Sequence, residues 1–387
     1  MAKAPQEPQA ELQESPSLLT HHKKPRPHAL IIVLSVLALL ALAHFIAVNH
    51  TTSRQPASLH NCSALLRATD YTQLVAIQAR TQRMSAVQFI DDVTAGQPAA
   101  LIQVGDLSAQ QKLDVYIYGC PQSQDKTNPT LLFKQQALIK GSIDITQAHT
   151  LSVGQIDTTL AADSDTLLLP LQQNVFQEYA WQNGSFHQVA FPGLYPVTSR
   201  SEAEALQDEA NNGQVLPWTD PLTTAEQMAQ DLFHWSNISI HGTLKDTTAT
   251  QAHVLLEKKD AHLTVAVTLE RLVQHNPKGL WWVTNAQSSG ISLDQTQFNT
   301  PVSSPLLLQG TIIPTTEKVT ATLFNHTLTA IPLQSSSTLQ TDTSGHLTGT
   351  LSYSNLFPDQ AGLLLITEYP ISSKEDGRLL LTNIFLT

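Results

Sequence analysis

Residues 29–48, ALIIVLSVLALLALAHFIAV, form an apolar run in which only Ser35 and His44 are polar. As a helix rising about 1.5 Å per residue, a run of this length covers roughly the 30 Å hydrocarbon layer of a bilayer. Lys3, Lys23, Lys24 and Arg26 precede it, whereas only Arg54 follows closely. That asymmetry predicts a single-pass signal-anchor in the cell membrane, with a cytoplasmic N-terminus and everything beyond residue 48 extracytoplasmic. A cleaved signal peptide is the competing reading, because Ala41-Leu42-Ala43 has the small-x-small form that signal peptidase prefers. Phe45, Ile46, Ala47 and Val48 continue the apolar run past that site, and 28 residues are long for the region before an export signal, so an anchor is the expectation.

Around this segment the chain divides by composition. Residues 1–28 are rich in Pro, Gln and Glu, lack apolar periodicity, and read as a disordered cytoplasmic tail. Residues 49–60 read as a polar linker. The tail holds four basic and three acidic groups, so positions 49–387 keep 17 basic and 29 acidic residues. An acidic exported surface without Lys/Arg clusters repels phosphate backbones, which argues against nucleic acid as a partner. Charged residues make up only 14% of the chain, and its 41% apolar residues suffice for two or three cores. Cys62 and Cys120 both fall on the exported side, where a disulfide persists. One bridge and two unrelated small residues are both compatible with the sequence alone.

The fold class expected for the exported part is mainly β with α+β, in three modules. Residues 61–214 read as a β-rich domain. Leu113, Val115 and Ile117 alternate with Asp114, Tyr116 and Tyr118, the pattern of a strand with two different faces. Asn183-Gly184 between two aromatic-rich runs predicts a hairpin with a two-residue turn. Ser201-x-x-Glu204 predicts the start of a short helix ended near Gly213. Residues 91–119 are similar to one blade of the FG-GAP type of β-propeller repeat. Thr94 and Gly96 stand where a calcium loop would have carboxylates, so the expectation is an acidic turn with no metal.

Residues 215–297 read as an α+β domain. Thr223-x-x-Glu226 has capping-box form, and Ala225, Met228, Ala229, Leu232 and Phe233 make the stripe of a helix packed on one face. Leu263, Val265, Val267 and Leu269 alternate as a strand, and Leu280-Trp-Trp-Val-Thr284 follows the Pro277-Lys278-Gly279 turn. This order of elements resembles the nuclear-transport-factor-two-like cone fold. The resemblance implies a pocket, for which Trp281 and Trp282 are candidate lining residues; packing in the core is the alternative for both.

Residues 298–387 carry Ser304-Pro305, Gly310-Thr311, Glu317-Lys318-Val319, Gly362 before Leu363–Thr367, Glu368 and Asp376-Gly377. This set resembles the immunoglobulin-like domain of bacterial spore germination proteins, with Thr316 where an aromatic often stands. The resemblance implies a β-sandwich serving recognition in the cell envelope. Alternation of Val319, Ala321 and Leu323 with threonines, and of Gly349, Leu351 and Tyr353 with Thr350 and Ser352, predicts the same sandwich, with turns at 342–345 and 358–362. Its length suggests a unit that folds alone.

Chemical signatures are sparse. The chain has no Gly-x-Ser-x-Gly, His-Glu-x-x-His, phosphate-loop or dinucleotide fingerprint, and its fifteen histidines are scattered. His21-His22 beside Lys23-Lys24 reads as a membrane flank. The expectation is therefore a non-enzymatic, membrane-anchored binding or scaffolding protein of a bacterial envelope, linked to sporulation or germination, with no cofactor and with an envelope protein or ligand as partner. The alternative is a small-molecule sensor or enzyme using a pocket in residues 215–297.

Overall fold

A computed structural model describes residues 58–387 except 79, 109–110, 121–127, 161–172, 295–300, 316, 355 and 370–376. The tail, the apolar segment 29–48 and the linker up to residue 57 lie outside the described residues. Among the described residues no helix is long and apolar enough to cross a membrane. The fold is mainly β.

Helix α1, Ser58–Ala68, begins within the stretch expected as linker, and the single turn α2, Tyr71–Leu74, follows it. Strands β1 (Gln82–Met84), β2 (Gln88–Ile90), β3 (Ala99–Asp106), β4 (Lys112–Gly119) and β5 (Thr130–Ile139) make an antiparallel sheet in the order β1-β3-β4-β5, with β2 also on β3. A second antiparallel sheet holds β6 (Ser142–Ile145), β7 (Leu151–Ile156), β8 (Asn174–Gln182) and β9 (Ser185–Val189) in sequence order. Leu101, Val115, Ile117 and Phe133 of the first sheet meet Ile143, Leu151 and Val153 of the second in one core. The opposite face of β4 is also covered, since Tyr116 and Tyr118 pack with Cys62 and Leu66 of α1. Its alternation thus separates two cores. The β8–β9 turn is Asn183-Gly184, both with positive φ (51° and 85°), as a two-residue hairpin of type I′ demands.

Helix α3, Arg200–Asn211, is capped two residues before the expected position. Ser199 Oγ accepts from the Glu202 N–H and donates to Glu202 Oε2, so the capping box is Ser199-x-x-Glu202. Ser201 and Glu204, the expected pair, serve elsewhere: Ser201 bonds Ser152 and Glu204 accepts from the Gln147 N–H. Helix α4, Pro221–Asp231, differs in the same way, because Asp220 rather than Thr223 is the cap, accepting from the Thr223 N–H at 2.8 Å. Pro221 follows at the first helical position, where its missing N–H costs nothing.

Strands β10 (Ile240–Thr247), β11 (Gln251–Lys258), β12 (Leu263–Glu270) and β13 (Trp282–Gln287) form an antiparallel meander. Ala225, Met228 and Ala229 of α4, with Leu232 and Phe233 just beyond it, share a core with Val254, Leu256, Val265 and Val267. The meander does not end at β13. The remaining strands are β14 (Ile291–Leu293), β15 (Leu306–Ile312), β16 (Val319–Phe324), β17 (Thr338–Thr341), β18 (His346–Leu351), β19 (Gln360–Glu368) and β20 (Arg378–Leu386). Ala286 and Gln287 of β13 pair with Leu381 and Leu380 of β20. An eleven-stranded path results, in the order β10-β11-β12-β13-β20-β19-β16-β17-β18-β15-β14.

The path folds back at β17, whose Thr338 and Leu339 pair with β16 while Gln340 and Thr341 pair with β18. Leu306, Leu308, Leu347 and Leu351 of one layer then face Val319, Leu323, Leu364, Ile366 and Ile384 of the other. The expectation of a separately folding 298–387 meets two obstacles. Strand β14, from before residue 298, forms an edge of these layers. Moreover, Phe324, Leu363, Leu365, Leu379 and Leu381 point out of the layered core into the one beneath α4. Burying five such side chains is worth on the order of 10 kcal/mol.

Candidate functional site

Two places bring together polar groups distant in sequence. The first is the seam where the β6–β9 sheet and the start of α3 meet the C-terminal layers. Glu178 on β8 accepts from Arg200 Nε and from the Thr150 hydroxyl, each at 2.6 Å, while its Oε2 has no partner. Arg200, the first residue of α3, also lies over the Phe191 ring, 5.2 Å from its centroid. Its pairing with Glu178 is buried, with the side chains 16% and 7% exposed.

A second pair, unlike the first, crosses the seam, with His326 Nε2 3.0 Å from Asp157 Oδ2. Burial raises the Asp157 carboxyl, but hydrogen bonds from His326 and from Thr159 outweigh it and hold the group below the usual carboxylate range. Gln177 and Gln188 donate to the Asp359 carbonyl, Asn383 donates to the Phe191 carbonyl, and Gln360 accepts from the His326 N–H. The void in this seam is about 10 Å³, lined by Ser152, Phe176, Glu178, Arg200, Ala361 and Phe385 among others. A space of that size holds at most one water. The arrangement fixes modules to one another and offers no room for a substrate.

The second place is an open cleft of about 320 Å³ lined by Thr250, Gln251, Glu270, Arg271 and His275. It lies at the end of β12, where the Arg271 N–H donates to the Thr250 carbonyl of the β10–β11 turn. The Arg271 guanidinium sits over the Trp281 ring, 4.5 Å from its centroid, and Nη1 donates to the Asn276 carbonyl. Nε is buried without an acceptor, and desolvation lowers the pKa of the group. Two further clefts, of about 380 Å³ beside Ile291 and Ile312 and about 100 Å³ beside Asn285 and Asn383, carry no charged side chain. Among the described residues no group of three or more His, Cys, Asp or Glu is placed to hold a metal ion.

Cys62 of α1 and Cys120, just after β4, are joined by a disulfide with their Cα atoms 5.6 Å apart. Trp281, just before β13, and Trp282, its first residue, are 2% and 0% exposed. Trp281 belongs to the core beneath α4, and Trp282 packs with Phe191, Leu206 and Leu280. Neither lines any of the clefts described here; Trp281 approaches one only through Arg271. Sequence reasoning did not single out Glu178, Arg200, Asp157, His326 or Arg271. The two buried pairs join residues 22 and 169 positions apart, a separation that no local motif records. Comparison with protein-family models, curated proteins and solved structures finds no match for this chain.

Proposed function

We propose that this chain is a membrane-anchored binding or scaffolding protein of a bacterial cell envelope, spanning the bilayer once through residues 29–48 with the N-terminus in the cytoplasm. The observation that carries the reading is the Cys62–Cys120 disulfide. It closes shortly after the apolar segment, and such bridges persist in extracytoplasmic compartments and are rare in reducing ones. The Asp157–His326 hydrogen bond supports a scaffolding role, because it joins two β-rich modules in a fixed arrangement and both side chains are buried. Residues 298–387 are proposed as an immunoglobulin-like recognition module related to those of spore germination proteins. Their two facing layers, with Leu308, Leu323, Leu351 and Leu364 between them, favour this assignment.

The test is protease added to intact cells that make the full chain, followed by mass analysis of the cysteine peptides without reductant. Release of the region beyond residue 58, with Cys62 and Cys120 recovered as a linked pair, is the expected result. Protection of that region, or alkylation of both thiols in the unreduced protein, would overturn the proposal.

A further inference from the structure

We infer that the cleft around Arg271 is a binding site for a small oxyanion, a carboxylate or a phosphate, which the guanidinium recognises against the face of Trp281. The inference goes beyond the anchoring proposal and does not depend on it. Arg271 is 9% exposed, yet no carboxylate of the described residues lies within ion-pairing distance of it. A buried cation without a counter-charge is costly. Its neighbour Glu270 borders the same cleft, but Oε1 of that carboxylate accepts from the Thr284 hydroxyl at 3.5 Å. Nη1 donates to the Asn276 carbonyl, and Nε is buried with no acceptor among the described residues. A planar guanidinium that lacks a full set of acceptors suits the oxygens of a carboxylate or phosphate.

The surroundings suit such a guest. The cleft is about 320 Å³, the lower end of small-molecule sites, and Thr250, Gln251 and His275 add a hydroxyl, an amide and an imidazole at its rim. Stacking on Trp281 holds the guanidinium plane in place before a ligand arrives, which lowers the ordering cost of binding. A purely structural clamp would need only the ring face and the Asn276 carbonyl. It would leave the unpartnered Nε and the open cleft without a role.

The experiment uses the full chain in detergent micelles, titrated with inorganic phosphate or with acetate at constant ionic strength, chloride being the control. A saturable rise in melting temperature, accompanied by a change in tryptophan emission, is expected with at least one of the two. Phosphate alone would point to phosphorylated ligands, and acetate to carboxylates. Arg271→Lys keeps the charge but loses the fork, and should weaken the apparent affinity about tenfold. Thr250 and His275 are exposed, so His275→Ala and Thr250→Val keep the fold and decide the matter if the Arg271 variant does not fold. Each should weaken binding by a smaller factor. Equal responses to both anions and to chloride, or unchanged binding in these variants, would overturn the site and leave the anchoring proposal standing.

Discussion

Replacing Glu202 by glutamine should stabilise the protein at neutral and alkaline pH and leave it unchanged in acid. Glu202 is the third residue of α3, 4% exposed, and burial pushes its carboxyl up to about 7, against a lowering contribution from the Ser199 hydroxyl. In the unfolded chain the same group titrates at the ordinary 4.5. Between those values the folded state keeps a proton that the unfolded state has released. This contribution to stability is therefore complete below the unfolded pKa and is lost as pH rises through the folded one. At about 1.36 kcal/mol per unit the loss is roughly 3 kcal/mol. The positive end of α3 favours the ionised form by up to about 1 kcal/mol, which leaves about 2. Glutamine preserves the oxygen that accepts from Ser199 and never ionises. Urea unfolding of wild type and Glu202→Gln across the range from about pH 4 to pH 8 is the assay, and the quantity of interest is the difference between them, in which other titrating groups cancel. That difference should grow from near zero to about 2 kcal/mol in favour of the variant. A flat difference, or one that favours the wild type as pH rises, would show that Glu202 is ionised and well partnered in the folded chain.

Three other outcomes can be checked by the same unfolding measurements. Arg200→Met leaves Glu178 buried with only the Thr150 hydroxyl, and should cost about 3–5 kcal/mol; adding Glu178→Leu should recover most of it, and a double variant as unstable as the single would remove the ion pair as the cause. The Cys62–Cys120 bridge closes a span of 58 residues, so Cys62→Ser should cost about 4 kcal/mol in the chain-entropy model; an unchanged urea midpoint would count against that. A fragment limited to 298–387 loses β14 and exposes the outward leucines of β19 and β20, a loss comparable to the whole stability of an ordinary domain; circular dichroism should find it unfolded, and a cooperative thermal transition would contradict the shared-core account.

What was legible in the sequence was local. Asn183-Gly184 announces its own hairpin because both residues tolerate positive φ. The helices at 200 and 221 were also legible, but each start carries two overlapping cap patterns. Burial of Glu202 and the proline after Asp220 decide between them, and only the second of these can be seen in the sequence. The continuous sheet was not foreseen, although a trace of it was present. Leu363–Ile366 and Leu379–Leu381 are unbroken apolar runs, and such runs mark strands buried on both faces, whereas the sandwich reading assumed one buried and one wet face. The Arg271 cleft depends on a turn at Thr250, a strand end and a loop residue, so three separate parts of the chain must fold before it exists.

The place of β20 bears on the order in which the protein can mature. It is the last described strand in chain order, yet it stands between β13 and β19, in the interior of the sheet path. Until residues 378–386 have been synthesised and delivered, β13 and β19 each present an unpaired edge and the leucines beneath α4 lack part of their cover. Growth from the N-terminus therefore cannot complete the middle module before the C-terminal one. A nascent chain must remain incompletely folded over some 150 residues, a state in which chaperones or neighbouring chains have access to those edges. A stop codon just before residue 378 would damage a module whose last strand, β13, ended about ninety residues earlier.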